Sequence, residues 1–511
     1  MPRPAAFGLL LLAIPAAVAA PQKEDLPAGA VGRLGAPVPV TKGEPRPGEV
    51  NALAFLDENS LFVGTDAGWR VWDVAKRQPR QEKPAGGPAF AAFRQADRLF
   101  IGSSRKLHSL EPAQSATAEP ARSWDSTAVA VGVLAGSPDG GRVVFSDGEQ
   151  KLTILDVKTG KVTGTAEFAS RPVAATLTAN GRVLAVVTRD GAARVYHLSP
   201  DGSLEPQWSK RVARSDRAAA QFSPDGRLLA VSTAGRVMIL DAVTGRPMQS
   251  VERRFGEGDV RCLVFSPDGK QVAIGTNGPD AIVRVADVVT AHEQATFVGH
   301  AGDVNAVAFA PGGRTLASGG TDQAVILWKV PVPPPGPALL TTGEAWETLD
   351  SLDADVAYRS TGTLLAHPGR AVTVIRDGYR GTADEQVKIR RWIAELDHDE
   401  FRVREAARRS LLKAGLRSAA ALNDTGRKKM GVEGETRVRL ILEALESQGV
   451  RIPESGLFGE PLRGVRGVRV LESIGGNEAR SVLEEVAKGT PEARLTREAK
   501  AALATLPADP R

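Results

Sequence analysis

His300, Ser318 and Asp322 are the residue types of a nucleophilic triad: a hydroxyl to attack, an imidazole to take its proton and a carboxylate to orient the ring. They lie with Trp328 in one stretch, residues 299–330. No Gly-x-Ser-x-Gly elbow, His-Glu-x-x-His pair or phosphate loop accompanies them. The Lys-Thr-Gly-Lys run at 158–161 lacks the upstream glycine of such a loop and falls in a hairpin. The remaining histidines, His108, His197, His292, His367 and His398, are scattered and form no i, i+4 pair, so no metal site is expected. The single cysteine, Cys262, excludes intramolecular disulfides and thiolate zinc cages. Asp397, His398, Asp399 and Glu400 are ligand types, but they stand where a helix should begin and read as caps. Arg390, Arg391, Arg402, Arg404, Arg408 and Arg409 alternate with Glu395, Glu400 and Glu405 and read as a solvated helix face.

The elements that carry the first group are strands. Residues 299–330 alternate apolar and polar, turn at Pro311-Gly312-Gly313, alternate again, turn at Gly319-Gly320-Thr321-Asp322, and end on a strand with Trp328. The unit recurs. Its first strand ends at Phe55, Phe93, Gly136, Leu177, Phe222, Phe265 and Phe309, 38 to 45 residues apart. Ser-Pro-Asp-Gly turns begin at Ser137, Ser223 and Ser266, where proline fixes one corner and glycine supplies a positive φ. Third strands run on into Asp-x-x-Thr-Gly or a near copy at Asp156, Asp241 and Asp287, which predicts a tight turn into a fourth strand.

This unit resembles the WD40 repeat, with Gly299-His300 near its start and Trp328 near its end, Lys329 standing where that family has Asp. The resemblance implies a seven-bladed propeller over residues 35–330. It also implies that His300, Ser318, Asp322 and Trp328 form a buried structural chain of hydrogen bonds rather than a catalytic set. Asp66 with Trp72 and Asp190 with Tyr196 are partial copies. Because the outer strand precedes each repeat, the seventh blade lacks one, and residues 35–42 are expected to supply it. Matched to the family's positions, the residues facing the narrow top surface are Glu49, Asn51 and Thr65; Arg171 and Arg189; Asp216; Asp259 and Arg261; Asp303, Asn305 and Thr321. The arc from Asp259 through Asn305 to Asn51 is the densest. Gly87, Ala89, Ala130 and Gly132 make the next two units bland and tolerant of substitution.

Residues 331–337 are proline-rich and predict an extended spacer. Beyond them the period becomes 3.6. Val438, Ile441, Leu442 and Leu445 share a face, as do Ala479, Val482, Leu483 and Val486, and Leu495, Ala499, Ala502, Leu503 and Leu506. Gly415, Gly449, Gly475 and Gly489 are expected to stop helices, and Asp399, Asn477 and Pro491 or Thr496 to start them. Residues 397–415 and 462–506 resemble HEAT-type helix pairs, so residues 338–506 are expected to form an all-α HEAT-like domain that folds independently of the propeller.

Residues 1–20, with Arg3, an apolar run and Ala17-Val18-Ala19, resemble a secretory signal peptide. No run of about 18 apolar residues follows, so no transmembrane anchor is expected. The formal net charge is only +5 with no polybasic arm, which argues against nucleic acid. The reading is an exported, non-enzymatic scaffold in the periplasm or outside a bacterial cell, holding protein or peptide partners and needing no cofactor. The alternative is an exported propeller enzyme, a quinone-dependent dehydrogenase or lactonase, which would need ligands converging on the central channel.

Overall fold

The computed structural model describes residues 26–34 and 48–506, apart from the internal stretches 81–88, 96–97, 104–105, 111–121, 126–133, 138–140, 147–148, 213, 215–217, 234, 249–252, 255–258, 279–280, 333–339, 416–417, 420, 423–431, 448–458 and 490–492. The expected signal peptide, and the stretch 35–42 expected to close the ring, therefore lie outside the described residues.

Among the described residues the strands form seven four-stranded antiparallel sheets. Their innermost strands are Val50–Asp57, Ala89–Gln95, Leu134–Gly136, Pro172–Leu177, Ala220–Phe222, Val260–Phe265 and Val304–Phe309. Each lies beside the next, and the last lies beside the first, so the sheets close into a β-propeller. We number the sheets one to seven in that order. Apolar side chains fill the space between neighbours. Val183–Thr188, the second strand of sheet four, is buried at every position, whereas the outer strand of sheet three, Val162–Glu167, is largely solvated.

The turns work as their residues dictate. Ser223 Oγ donates to Asp225 at 2.6 Å and accepts the backbone N–H of Leu228 at 3.0 Å, while Gly226 takes φ +68°. At the outer end, Asp241 Oδ1 accepts the N–H of Thr244 at 2.8 Å and its hydroxyl at 2.8 Å. Asp156 and Asp287 make the same turn.

The ring closes through Ala30–Leu34, which pairs with the third strand of sheet seven in the register Leu34↔Val325 and Gly32↔Leu327. The outer strand thus lies upstream of the expected stretch, and the propeller begins at Ala30 rather than at residue 35. The reason is side-chain alternation: Leu34 is 1% exposed against Val50 and Val325, while Val31 faces outward. Arg77 of sheet one donates to the Val31 carbonyl at 2.7 Å and holds the strand from the far side. Deleting residues 21–34 re-exposes the edge of Val325–Lys329 and removes buried Leu34. The expected result is a thermal midpoint several degrees lower in a calorimetric scan; an unchanged midpoint would show that the strand is dispensable.

The helices are α1 (Thr342–Glu347), α2 (Ala354–Ala366), α3 (Pro368–Glu395), α4 (Phe401–Ala414), α5 (Val432–Ser447), α6 (Glu460–Ile474), α7 (Gly476–Ala487) and α8 (Arg494–Thr505). A capping box of Thr341 and Glu344 starts α1. Gly415 and Gly475 end α4 and α6, as the sequence suggests. The starts differ from expectation. Glu400, not Asp399, is the N-cap of α4; α7 begins at Gly476, ahead of Asn477; and Thr496 lies inside α8, whose N-cap is Ala493. Packing rather than a side-chain cap sets these ends, because none of the three N-caps bonds through its side chain. Helices α1, α2, α6, α7, α8 and the first half of α3 enclose one apolar cluster around Trp346, Ile375, Leu471 and Leu483. The rest of α3, with α4 and α5, encloses another around Ile393, Leu411 and Ile441. At Gly378 a Cβ would stand 2.2 Å from Trp346 Cε2, so only glycine allows α1 and α3 to approach this closely.

The helices do not hang from a free spacer. They sit on sheets four to six, at the end of the propeller formed by the turns after the first and third strands. Arg466 of α6 pairs with Asp241 at 3.1 Å, both nearly fully buried. Arg182 reaches Glu472 of α6 at 3.1 Å and Glu498 of α8 at 3.6 Å. Arg227 stacks 4.3 Å from the Tyr358 ring and donates to the Tyr358 carbonyl at 3.1 Å. Val243 packs on Leu462 and Val465, and Ala354 enters the apolar cluster of sheets five and six. The expectation of two units that merely share a linker gives way to one joined body. Proline content describes only the connecting chain, and it says nothing about surfaces far apart in sequence.

Candidate interaction surface

Sheet seven brings His300, Ser318, Asp322 and Trp328 together. His300 Nδ1 meets Asp322 at 2.9 and 3.1 Å, and His300 Nε2 meets Ser318 Oγ at 2.7 Å. Trp328 Nε1 donates to the same oxygen at 2.7 Å. The His300 and Asp322 side chains are each 1% exposed. Strand pairing places Ser318 two residues along from Leu316, the partner of Trp328, and the turn after Gly320 returns Asp322 beneath the ring. Ser318 is fully buried and already accepts an indole N–H, so its hydroxyl offers no route to a substrate. The arrangement pins the hairpin, as fully satisfied buried polar groups do.

Burial pushes the Asp322 carboxyl up, but the His300 hydrogen bond and charge, with the N–H groups of Ala301 and Ala324, outweigh it and hold the carboxyl below its ordinary value. At the helical interface, Glu498 is likewise pushed up by burial and held lower by Arg469, Arg182 and Arg494. A carboxylate depressed in the folded state contributes stability that is complete above its unfolded value, about pH 4, and is lost as pH falls through the folded value. Urea midpoints are therefore expected to fall steeply below about pH 4, and less steeply in Asp322→Asn; identical slopes would remove Asp322 from the account.

The residues expected on the rim fare differently. Those at the start of the first strands lie at the end of the propeller opposite the helices. Arg261 of sheet six forms an ion pair with Asp303 of sheet seven, whose Oδ1 accepts the N–H of Gly278 at 3.1 Å. Asn305 Nδ2 donates to the Val50 carbonyl at 3.3 Å, and Asn51 Nδ2 to the Glu49 carbonyl at 3.2 Å. Part of the expected arc thus stitches sheets six, seven and one to each other. Asp259 is exposed, and its backbone bonds Asn277; Thr321 is half-buried. Arg171 and Arg189 are exposed on sheet four, and Asp216 lies outside the described residues.

Two assignments need correction. Thr65 pairs with Val50, where Thr188 pairs with Pro172 and Thr276 with Val260. Its hydroxyl donates to the Gly68 carbonyl at 2.8 Å, so the side chain is committed to its own hairpin at that end of the sheet. Ala89 pairs with Ser103 in the register of Val50 and is 0% exposed. It points into the inter-sheet core and cannot tolerate substitution as a bland rim position would. Both errors come from one-residue slips, which in a strand exchange inside for outside.

No charged side-chain cluster of metal-ligating type occurs among the described residues. In the 397–400 run, His398 Nδ1 accepts the N–H of Glu400 at 3.0 Å, and Arg404 donates to the carbonyls of His398 and Asp399. The run closes a turn.

A cavity of about 300 Å³ lies between sheets seven and one, a feature that no residue pattern announces. It is lined by Leu34, Val50, Val63, Trp69, Trp72 and Val325, with Arg70 and Gln323 among its polar walls.

Residues 292–329 match a family model described as WD domain, G-beta repeat. Residues 132–293 match a second model, a domain of unknown function, DUF7165. The chain is 32% identical over 117 residues to the serine-threonine kinase receptor-associated protein of Dictyostelium discoideum; that match covers 23% of this chain and 38% of the relative, well under two thirds of its length. A chain in the crystal structure of a mitotic checkpoint complex superposes with a TM-score of 0.49 at 17% identity, covering 63% of this chain and 99% of that one. Among the described residues, no helix is long and apolar enough to cross a membrane.

Proposed function

We propose that this protein is a non-enzymatic scaffold: a seven-bladed WD40 propeller whose one end is occupied by a HEAT-like helical unit and whose other end holds protein or peptide partners. The observation that carries the reading is this division of ends. Arg466, Arg182 and Arg227 commit the turns of sheets four and five to the helices. Asp259, Asn305, Asn51 and Glu49 stand on the opposite rim. The Dictyostelium discoideum relative, whose name describes association with a kinase receptor, supports a protein partner. The leader-like residues 1–20 support a place in the envelope or outside a bacterial cell.

The test uses residues 21–511 immobilised against an envelope extract, with captured proteins identified by mass spectrometry and the strongest one titrated. Asp259→Lys should weaken its binding at least tenfold and Arg171→Glu less than twofold. Equal binding to all three proteins would place the partner site away from this arc, and release of a small product by the purified chain would favour the enzyme alternative.

A further inference from the structure

The cavity between sheets seven and one opens at the same end as the polar arc. Val50 lies between Glu49 and Asn51. Thr65, Ala67 and Gly68 belong to the hairpin turn of sheet one, and Gln323 to the matching turn of sheet seven. Its apolar wall has a cause in the repeat itself. Trp72 pairs with Leu61 as Trp328 pairs with Leu316, and Val63 then stands where sheet seven has Ser318. Sheet one has therefore replaced the serine of the buried polar chain by an aliphatic side chain. Trp328 is fully buried and stacks on Phe297 at 4.8 Å, but Trp72 is only half-buried beside the cavity.

Size and charge narrow what this space can take. About 300 Å³ is the lower end of small-ligand sites and room for roughly ten waters, or for one large side chain with space to spare. Trp69, Trp72, Val50, Val63, Leu34 and Val325 favour an apolar occupant. Arg70 is the one charged residue among the described lining and favours a carboxylate next to that occupant. At the mouth, the Gln323 backbone is held at φ +66°, and a Cβ on Gly48 would come 2.9 Å from its amide oxygen. A side chain other than glutamine at 323, or other than glycine at 48, would reshape the opening.

We propose that this cavity is the anchor pocket of the rim: it receives one leucine- to phenylalanine-sized side chain of an extended peptide whose neighbouring acidic residue meets Arg70. The proposal rests on the scaffold reading and adds the chemistry of its partner. Anchors of this kind dominate peptide affinity, while the surrounding polar arc sets register.

A displayed library of random heptapeptides, selected on the full chain, tests it. The enriched sequences should share a Leu, Ile, Phe or Trp with Asp or Glu within two positions. A synthetic consensus peptide should lose at least tenfold in affinity on Ala67→Trp, which adds bulk at an exposed position of the mouth. It should lose about fivefold on Arg70→Met, which keeps the aliphatic stem, and the same on changing its own acid to the amide. The thermal midpoint of Ala67→Trp should match the parent, which separates blocking from unfolding. Failure to enrich any sequence, or a consensus without an apolar anchor, overturns the proposal. Peptides that lose affinity on Asp259→Lys but keep it on Ala67→Trp leave the rim reading standing and remove the pocket. Loss on Ala67→Trp alone keeps the pocket and removes the rim.

Discussion

Replacing Trp328 by alanine is expected to cost the protein about 4 kcal/mol, within the range for emptying a buried aromatic site. Trp328 is fully buried, stacks on Phe297 of the neighbouring sheet at 4.8 Å and donates to Ser318. Its loss opens a cavity between sheets six and seven and leaves the Ser318 oxygen with one partner fewer. His300→Ala should cost about as much for a different reason. It strips Asp322, a buried carboxylate, of its imidazole partner and leaves Ser318 Oγ facing a void. The two residues share Ser318, so the double variant should cost less than the sum of the singles. Equilibrium unfolding in urea reads all three. Additive costs, or a His300→Ala protein as stable as the parent, would mean that the chain of hydrogen bonds does not act as a unit.

The second large effect is expected where the helices meet the propeller. Arg466 is 4% exposed and donates to three acceptors: Asp241 of sheet five, and the carbonyls of Leu349 and Ser351 between α1 and α2. Arg466→Ala leaves the Asp241 carboxylate buried with one oxygen unanswered and should cost about 3 kcal/mol. Asp241→Ala should cost more, because Asp241 also holds its own turn through Thr244. The parent should unfold in one transition. In Arg466→Ala the helical unit should separate first, giving two calorimetric transitions and a helical fragment released by protease at residues 333–339. A single unshifted transition in the variant would show that the apolar contacts of Val243 with Leu462 and Val465 suffice to hold the units together. Replacement by methionine, which keeps the stem, should recover part of the loss.

Much of the architecture is legible because it is local. A strand alternates with period two, a helix repeats at 3.6, and Ser-Pro-Asp-Gly or Asp-x-x-Thr-Gly folds back on itself within five residues. Those patterns depend on near neighbours, so the repeat spacing announces the sheets, and Ile441, Leu445, Val482 and Leu483 announce the buried helix faces. The four residues of the polar chain in sheet seven are legible for the same reason, since they fall within 29 residues of each other, from 300 to 328.

What the tertiary structure alone decided involves partners distant in the chain. Arg466 and Asp241 are 225 residues apart, and Arg182 and Glu472 are 290 apart. In sequence each is one arginine among many, and only docking takes it out of water. The rim shows the same limit at finer scale. Position relative to a strand start singles out Asp303 and Arg261, but their pairing with each other depends on how two sheets twist together. The closing strand fell at Ala30–Leu34 because Leu34 finds a buried site against Val50 and Val325, a selection made by packing. The cavity beside Trp72 is the clearest case. Its walls come from strands near residues 34, 50, 70 and 325, and a void between sheets has no signature in any one of them.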